Sequence, residues 1–278
     1  MKKDADGPLA GWRVLVTRAV HQAPALSRAL AAAGAQPVEL PVIRLGPPPE
    51  PQRLDAALRA LDRFDWVVFT SANTVQAVAA RLAALGLPAA SLARCRLAAI
   101  GPATAAALKE QGLPVAVVPQ EYVGEGLLQG LARRDRWAGR RVLLPRAAEA
   151  RSVLPEGLRA LGANVEVVAA YTTEPAEPPG AGAVLAELAQ GRIHAVTFTS
   201  PSTVKGFARL WEAHTGTGPP GDGAFVVACI GPVTARAARQ RGLAVHVVAE
   251  DYTVDGLVRA LAAYRARGEK GAGSHGIS

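Results

Sequence analysis

The stretch Ile100-Gly-Pro-Ala-Thr-Ala105 occurs a second time in this chain, as Ile230-Gly-Pro-Val-Thr-Ala235. An apolar run leads into each copy, glycine permits a tight exit from a strand, and proline suits the first position of a helix. Each copy therefore predicts a strand followed at once by a helix. Repeated strand–helix steps build parallel sheets, and near-continuous apolar strands indicate helices on both faces.

The repetition continues on the N-terminal side of this stretch. Arg13-Val-Leu-Val-Thr-Arg18 returns as Arg141-Val-Leu-Leu-Pro-Arg146, and Val68-Phe-Thr-Ser71 returns as Thr197-Phe-Thr-Ser200. The copies lie about 128 to 130 residues apart, which is far longer than the period of a solenoid repeat. We therefore expect two similar α/β lobes, each a parallel sheet flanked by helices, with a ligand-binding cleft between them.

Two proline-rich stretches predict where the chain passes between the lobes. They cover residues 46–51 and 174–180, and each follows the second strand of its repeat. Because such segments are stiff and extended, we expect a pair of extended linkers there. The predicted domains are a discontinuous one (residues 1–45 and 174–264) and a continuous one (residues 46–173). The Gly- and Ser-rich C-terminus, residues 265–278, is predicted to be a disordered tail.

The composition indicates a small anionic ligand. The chain carries 31 Lys and Arg against 23 Asp and Glu, a net charge of +8, which favours polyanionic partners. Aromatic residues make up only 5%, too few for the stacking platform of a single-strand nucleic-acid binder. The basic residues also form no long run, so a polyanionic metabolite is favoured over nucleic acid.

Cysteine content and hydropathy indicate a cytoplasmic chain. Cys95 and Cys229 are the only cysteines, which gives neither a disulfide framework nor a metal site and fits a reducing compartment. The first residues lack the apolar core of a signal peptide. No apolar run reaches the roughly 20 residues that a membrane helix needs. We expect a soluble protein with no metal and no membrane attachment.

Polar residues at the carboxyl ends of the strands are the candidate site, because ligands bind there in open parallel sheets. Arg18 and Arg146 end the first strand of each repeat, where a guanidinium can hold a carboxylate. Ser71 and Ser200 begin helices, whose free N–H groups attract anions. Simpler interpretations stay open, namely surface ion pairs for the arginines and helix capping for the serines.

Two threonines and a tyrosine complete the candidates. Thr104 and Thr234 fall in the first turn of the helix that follows each glycine–proline turn. Their recurrence also follows from duplication alone. Tyr171 is expected directly after a strand predicted over residues 165–170, before the second linker. Its phenol can act as a weak general acid, although packing is the commoner role for a tyrosine in such a place.

The order of these motifs resembles the uroporphyrinogen-III synthase family over about residues 11–263. It runs Val-Thr-Arg, Phe-Thr-Ser, Ile-Gly-Pro-x-Thr-Ala, Tyr-Thr before a linker, Phe-Thr-Ser-Pro and a second Ile-Gly-Pro-x-Thr-Ala. The resemblance implies two α/β lobes joined by two extended linkers, one lobe being discontinuous. It implies an enzyme of tetrapyrrole (haem) biosynthesis that closes hydroxymethylbilane, a linear polycarboxylate, into uroporphyrinogen III. Water is lost, the last ring is inverted, and no cofactor is needed.

The resemblance also implies roles for individual residues. By motif position, the catalytic tyrosine of the family falls on Tyr171, as general acid. The substrate-binding positions fall on Thr104, Thr234 and Ser200, with Ser71 and Ser202 as neighbours. Ala72-Asn73 stands where the second repeat has Pro201-Ser202, so the two anion sites need not be alike. The implied partners are the substrate and, as a candidate, the enzyme that makes it; a monomer is expected.

Two other functions stay open from the residues alone. A non-catalytic sensor that closes two lobes on an anionic metabolite would have the same repeats and linkers. A nucleic-acid binder would account for the net charge, with affinity that falls steeply with salt, but the chain has no basic stripe. Isomer analysis of the product formed from hydroxymethylbilane separates the sensor from the synthase.

Overall fold

The computed structural model describes residues 7–149, 153–221 and 225–272. The chain divides into two compact units. Unit 1 combines Met1–Arg44 with Glu174–Ser278, and unit 2 is Leu45–Thr173. Each unit is therefore assembled from parts of both sequence repeats.

The described residues form a mixed α/β structure. Its strands are β1 (Arg13–Val16), β2 (Gln36–Glu39), β3 (Ile43–Gly46), β4 (Trp66–Phe69), β5 (Arg96–Ala99), β6 (Arg141–Ala147), β7 (Asn164–Pro175), β8 (Ala195–Phe198), β9 (Val226–Cys229) and β10 (Val247–Val248). Its α-helices are α1 (Ala23–Ala32), α2 (Pro51–Arg59), α3 (Ala72–Ala84), α4 (Pro102–Glu110), α5 (Gly124–Ala132), α6 (Val153–Ala160), α7 (Ala181–Ala189), α8 (Pro201–Thr215), α9 (Pro232–Arg239) and α10 (Val254–Ala272). Strands and helices alternate along most of the chain, as the repeated strand–helix steps predict.

The described residues form two five-stranded sheets, one in unit 1 and one mostly in unit 2, with β3 and β7 each extending past the boundary between the units. The strand order is β10-β9-β8-β1-β2 in unit 1 and β3-β7-β6-β4-β5 in the other sheet. The pairs β1–β2, β1–β8, β8–β9 and β9–β10 are parallel, as are β4–β5, β4–β6 and β6–β7. In unit 2 a single bridge between Val117 and Ala98 lies beside β5, at the position that β10 takes beside β9 in unit 1.

Neighbouring residues of the central strands enter different hydrophobic cores, so both faces of each sheet are covered. In β1, Val14 and Val16 pack under α1 and α10, whereas Leu15 packs under α7 and α8. In β4, Trp66 contributes to the core under α5 and α6, and Phe69 to the core under α2, α3 and α4. Each of these large side chains stabilises the fold by about 1.5–3 kcal/mol through burial.

The strand that carries Tyr171 is longer than the sequence predicts. β7 continues through Tyr171 to Pro175, so the prediction that this strand ends at Ala170 is wrong. The reason is a long-range pairing with β3, which the local sequence does not reveal. Near this pairing of β7 with β3, the N–H of Ala176 donates to the carbonyl of Val42 at 3.0 Å, and Arg44 forms an ion pair with Glu174 at 2.9 Å.

The C-terminal helix also extends further than the predicted domain. α10 continues to Ala272, so residues 265–272, predicted to belong to a disordered tail, are helical. Since helix α10 has apolar residues such as Leu257 and Leu261 in the core against α1, the helix is anchored at its first half. The last part of the predicted tail, residues 273–278, lies outside the described residues.

Candidate functional site

The strand order places one crevice at the carboxyl edge of each sheet. In a doubly wound parallel sheet, a crevice opens between two neighbouring strands whose helix connections depart in opposite directions. In unit 1 these strands are β1 and β8, and in unit 2 they are β6 and β4. Arg18 follows β1 and Ser200 follows β8, whereas Arg146 lies near the end of β6 and Ser71 follows β4. Each crevice thus receives one candidate arginine and one candidate serine.

Two buried threonines form hydrogen bonds between β8 and the chain of β1 at the unit 1 crevice, and neither was predicted from the sequence. The hydroxyl of Thr17 donates to the carbonyl of Thr197 at 2.7 Å, and the hydroxyl of Thr197 donates to the carbonyl of Leu15 at 2.7 Å. The repeat places Pro145 and Val68 at the corresponding positions of unit 2. A threonine within an apolar strand or directly after one was the available signal, because a buried hydroxyl needs a partner.

Ser71 starts α3 and also contacts the candidate catalytic tyrosine. Its hydroxyl oxygen accepts the Thr74 N–H at 3.1 Å, which confirms the capping role, and lies 2.9 Å from the hydroxyl oxygen of Thr74. The phenol oxygen of Tyr171 lies 3.3 Å from the same Ser71 oxygen. The tyrosine is 7% exposed and belongs to the same hydrophobic core as Phe69 and Val75. Tyr171 therefore packs in the core and also places its phenol hydroxyl beside that of Ser71.

Ser200 starts α8 in unit 1 with a different set of contacts. Its hydroxyl accepts the Thr203 N–H, and the Thr203 hydroxyl accepts the Ser200 N–H, each at 3.3 Å. This reciprocal arrangement is a capping box, so the predicted cap is confirmed. The Ser200 oxygen lies 2.9 Å from the hydroxyl oxygen of Ser202. Where unit 2 has a tyrosine phenol, unit 1 thus has a second serine hydroxyl.

The two glycine–proline turns leave their helix N-termini without a side-chain cap. Gly101 precedes α4 and Gly231 precedes α9, and neither end receives a capping hydrogen bond from a side chain. Thr104 and Thr234 are each 3% exposed in the first turn, so their hydroxyls face the interior. The N–H groups of such helix ends, and the positive end of the helix dipole, favour an anion. These turns therefore offer backbone N–H groups that no side chain caps.

Arg18 is a partly buried cation with no partner among the described residues. Its Nε atom is buried and makes no hydrogen bond to them, and burial lowers the pKa of the guanidinium. Arg146, at the matching position of unit 2, also has its pKa lowered by burial. A guanidinium that has lost water gains most from a carboxylate or phosphate that it can bind through two N–H groups. The surface ion pair that the sequence left open for Arg18 is therefore absent among the described residues.

The cysteines do not supply a nucleophile. Burial raises the pKa of Cys95 to about 11 and that of Cys229 to about 12, so both thiols stay protonated near neutral pH. Within the described residues, no cluster of three or more His, Cys, Asp or Glu side chains is arranged to hold a metal. In that part of the chain, no helix has the length and apolarity needed to cross a membrane. The sites therefore offer hydroxyls, N–H groups and guanidiniums as their chemical groups.

Comparison with known proteins gives one consistent family. The family model described as uroporphyrinogen-III synthase HemD matches residues 24–259. A uroporphyrinogen-III synthase from Synechococcus elongatus is 34% identical over 260 residues, which cover 92% of this chain and 97% of the relative. A chloroplastic uroporphyrinogen-III synthase from Oryza sativa is 30% identical over 263 residues, 92% of this chain and 82% of the relative.

Solved structures show the same fold. A mutant uroporphyrinogen III synthase from Thermus thermophilus matches with a TM-score of 0.60 and 23% identity, covering 92% of this chain and 99% of that one. The Helicobacter pylori uroporphyrinogen-III synthetase matches with a TM-score of 0.56 and 18% identity, covering 91% and 98%. At these identities the likeness extends to the fold alone.

Proposed function

This chain belongs to the uroporphyrinogen-III synthase family, and from that premise we propose that it converts hydroxymethylbilane into uroporphyrinogen III. The family makes the chain a cyclising lyase of tetrapyrrole biosynthesis. The observation that carries the assignment of the catalytic group is the Tyr171 phenol, held 3.3 Å from the Ser71 hydroxyl at the carboxyl edge of its sheet. Hydroxyl and amide donors at the same edge suit a substrate with many carboxylates.

The reaction needs a proton for its leaving group and control over which carbon attacks. The terminal hydroxyl of hydroxymethylbilane departs as water when it is protonated, and the pyrrole nitrogen supplies the electrons, which leaves an electrophilic azafulvene. The substituted carbon of the last ring then attacks, and the resulting spiro intermediate fragments and closes again with that ring inverted. Loss of a proton from the closing carbon restores the pyrrole, so the balance is substrate to product plus water.

Tyr171 is the proposed proton donor to the leaving hydroxyl. A positioned general acid contributes roughly 10²–10⁴-fold, and the phenol is positioned both by its buried ring and by Ser71. Ser71 in turn is fixed by its hydrogen bond from the Thr74 backbone. The tyrosine is thus placed by contacts that do not involve substrate, which favours preorganisation.

The substrate carboxylates are proposed to bind at the helix starts and the arginines. In unit 1 the donors are Arg18, Ser200, Ser202 and the turn before Thr234. In unit 2 they are Arg146, Ser71 and the turn before Thr104. Binding through many carboxylates holds the bilane in one conformation, which matters because it also cyclises unaided to the uninverted isomer. Positioning of this kind can supply several kcal/mol of the rate enhancement.

Location and partners are part of the same proposal. Cys95 and Cys229 are both free and buried, which fits a reducing cytoplasm. We propose that the chain acts there as a monomer without a cofactor. The enzyme that makes hydroxymethylbilane is the proposed protein partner, since the bilane cyclises spontaneously and a short transit limits that loss.

Incubation of the purified chain with hydroxymethylbilane tests the function. The porphyrinogens are oxidised to porphyrins and the type I and type III isomers are resolved by chromatography. We expect isomer III to dominate, and a sample without protein to give isomer I. Isomer I alone in the presence of folded protein would instead support a binding protein or sensor.

A further inference from the structure

A second arginine-lined groove lies on unit 2, at the opposite end of its sheet from the candidate site. Four arginines line it: Arg53 of α2, Arg63 before β4, Arg141 at the start of β6 and Arg159 of α6. The groove has a volume of about 760 Å³, which is within the range of roughly 300–1,000 Å³ that small-molecule sites occupy. All of its lining residues lie within unit 2.

The charge of this groove is poorly balanced. Glu166 is its single acidic lining residue, and Glu50 approaches Arg53 only to 3.8 Å. The side chains of Arg63 and Arg141 make no hydrogen bond or ion pair within the described residues. The nearby Arg140 differs, because it binds the carboxylates of Asp135 and Asp65. Carboxylates thus neutralise Arg140, whereas Arg63 and Arg141 have no such partner among the described residues and line the groove.

Two of the four guanidiniums are held in place by neutral acceptors. Arg159 donates to the carbonyl of Val165 at 3.1 Å and Arg53 to the carbonyl of Val167 at 3.4 Å. Both carbonyls belong to the first part of β7. Because a carbonyl fixes a guanidinium without cancelling its charge, the remaining N–H groups stay available in a preorganised fork.

We propose that this groove binds a small polyanion with two or more phosphate or carboxylate groups. Guanidiniums bind both kinds of group through paired N–H donors, and four of them around one volume favour a multiply charged ligand over a single anion. The site is separate from the proposed reaction, since it lies at the amino edge of the sheet. Because the arginines are exposed, affinity should fall as ionic strength rises.

The test is calorimetric titration of the full chain with tripolyphosphate and with citrate, and with acetate as a singly charged control. The groove variant is Arg63→Gln with Arg141→Gln, chosen because neither side chain supports the fold through a described contact. The matched variant is Arg209→Gln with Arg241→Gln, two exposed arginines of unit 1 that also make no described contact. Both variants lower the net charge equally.

We expect one saturable site for at least one of the two polyanions, and none for acetate. The Kd should rise at least about 10-fold in the groove variant, as the loss of charge-assisted hydrogen bonds predicts, and less than about 2-fold in the matched variant. A stronger response to tripolyphosphate or to citrate identifies the phosphate or the carboxylate class. Equal weakening in both variants, or no saturable binding to the unmodified chain, would overturn the proposal.

A turnover measurement separates this site from the proposed function. The groove variant should convert hydroxymethylbilane with unchanged KM in the absence of polyanion, and thermal unfolding should show that it is folded. If the groove variant binds tripolyphosphate normally and Arg18→Gln abolishes that binding, the polyanion occupies the candidate site and the groove proposal is wrong.

Discussion

The phenol oxygen of Tyr171 and the hydroxyl oxygen of Ser71 lie 3.3 Å apart, although 100 residues separate them in sequence. β7 carries the tyrosine, β4 leads into the serine, and β6 lies between these strands. The contact therefore crosses the end of the central strand, at the crevice where ligands of parallel sheets bind. A buried phenol needs a hydrogen-bond partner whatever its role, so kinetics must separate packing from catalysis.

The first prediction concerns removal of either hydroxyl. Tyr171→Phe keeps the buried ring and should lower kcat, by up to about 10²–10⁴-fold, with little change in KM. Ser71→Ala should lower kcat less and cost about 1 kcal/mol of stability through loss of the helix cap. If Ser71 affects kcat by positioning the phenol, the double variant should have a kcat no lower than that of Tyr171→Phe alone, and loss of the proposed carboxylate contact of Ser71 should appear in KM. Steady-state kinetics with isomer analysis measures all three.

Tyr264→Phe is the control for this series, since Tyr264 packs against His246 in unit 1. It should leave kcat unchanged. A Tyr171→Phe variant that turns over at the unmodified rate with saturating substrate would remove the tyrosine from catalysis, and fully additive effects would remove Ser71 as its positioning residue.

The second prediction concerns Arg18, whose buried Nε has no partner among the described residues. Arg18→Met keeps an apolar stem and removes an unsatisfied charge, so the free energy of unfolding should stay constant or rise by about 1 kcal/mol. KM should rise at least about 10-fold if Arg18 holds a substrate carboxylate as proposed. Arg13→Met should behave oppositely, since Arg13 pairs with Glu187 at 2.8 Å. A variant of Arg18 that loses stability and keeps its KM would assign the residue to the fold.

Much of the fold could be predicted from the sequence, because the signals that start its helices are local. The glycine–proline turns at Gly101 and Gly231 and the caps at Ser71 and Ser200 depend on a few neighbouring residues, and all four start helices as predicted. The duplication then predicts that corresponding strands of the two repeats take equivalent positions in the two sheets. Local chemistry and internal repetition together predict two doubly wound parallel sheets.

The parts that sequence reasoning missed depend on pairing between distant segments. β7 passes through Tyr171 because β3 joins the sheet beside it, and nothing near residue 171 signals that partner. The Thr17–Thr197 pair is likewise 180 residues apart. For the candidate site, sequence alone could nominate Tyr171 and Ser71 separately, but only the strand order brings them to hydrogen-bond distance.

The third prediction concerns two glycines in one helix. A Cβ atom on Gly126 would lie 2.3 Å from the Glu121 carbonyl oxygen, whereas one on Gly124 would meet no atom within 4 Å. Gly126→Ala should therefore shift the chain before α5 and lower the free energy of unfolding, by about 1–3 kcal/mol. Gly124→Ala should be neutral or stabilising, by up to about 1 kcal/mol, because it reduces the entropy of the unfolded chain. Thermal and urea unfolding compare the two, and equal effects would contradict the steric explanation.

The fourth prediction concerns Asp135, a carboxylate only 8% exposed that accepts hydrogen bonds from Trp66, Arg96 and Arg140. The Trp66 indole and the Arg140 guanidinium hold the pKa of Asp135 below its ordinary value. A lowered folded-state pKa contributes stability above the unfolded-state pKa of about 3.9, and that stability is lost as pH falls through the lower folded-state pKa.

Asp135→Asn should accordingly lower stability near pH 7, by about 1.5–3 kcal/mol for lost hydrogen bonds to a charged group. The difference between the variant and the unmodified chain should shrink as pH falls below about 4, because Asp135 is then protonated in the unfolded chain while it stays ionised in the folded one, down to its lower folded-state pKa. Asp62→Asn, at an exposed aspartate, is the control and should show little effect at either pH. Urea unfolding at pH 7 and in a series down to pH 3 measures the difference, and a constant Asp135→Asn penalty across that series would show that the charge of Asp135 does not stabilise the fold.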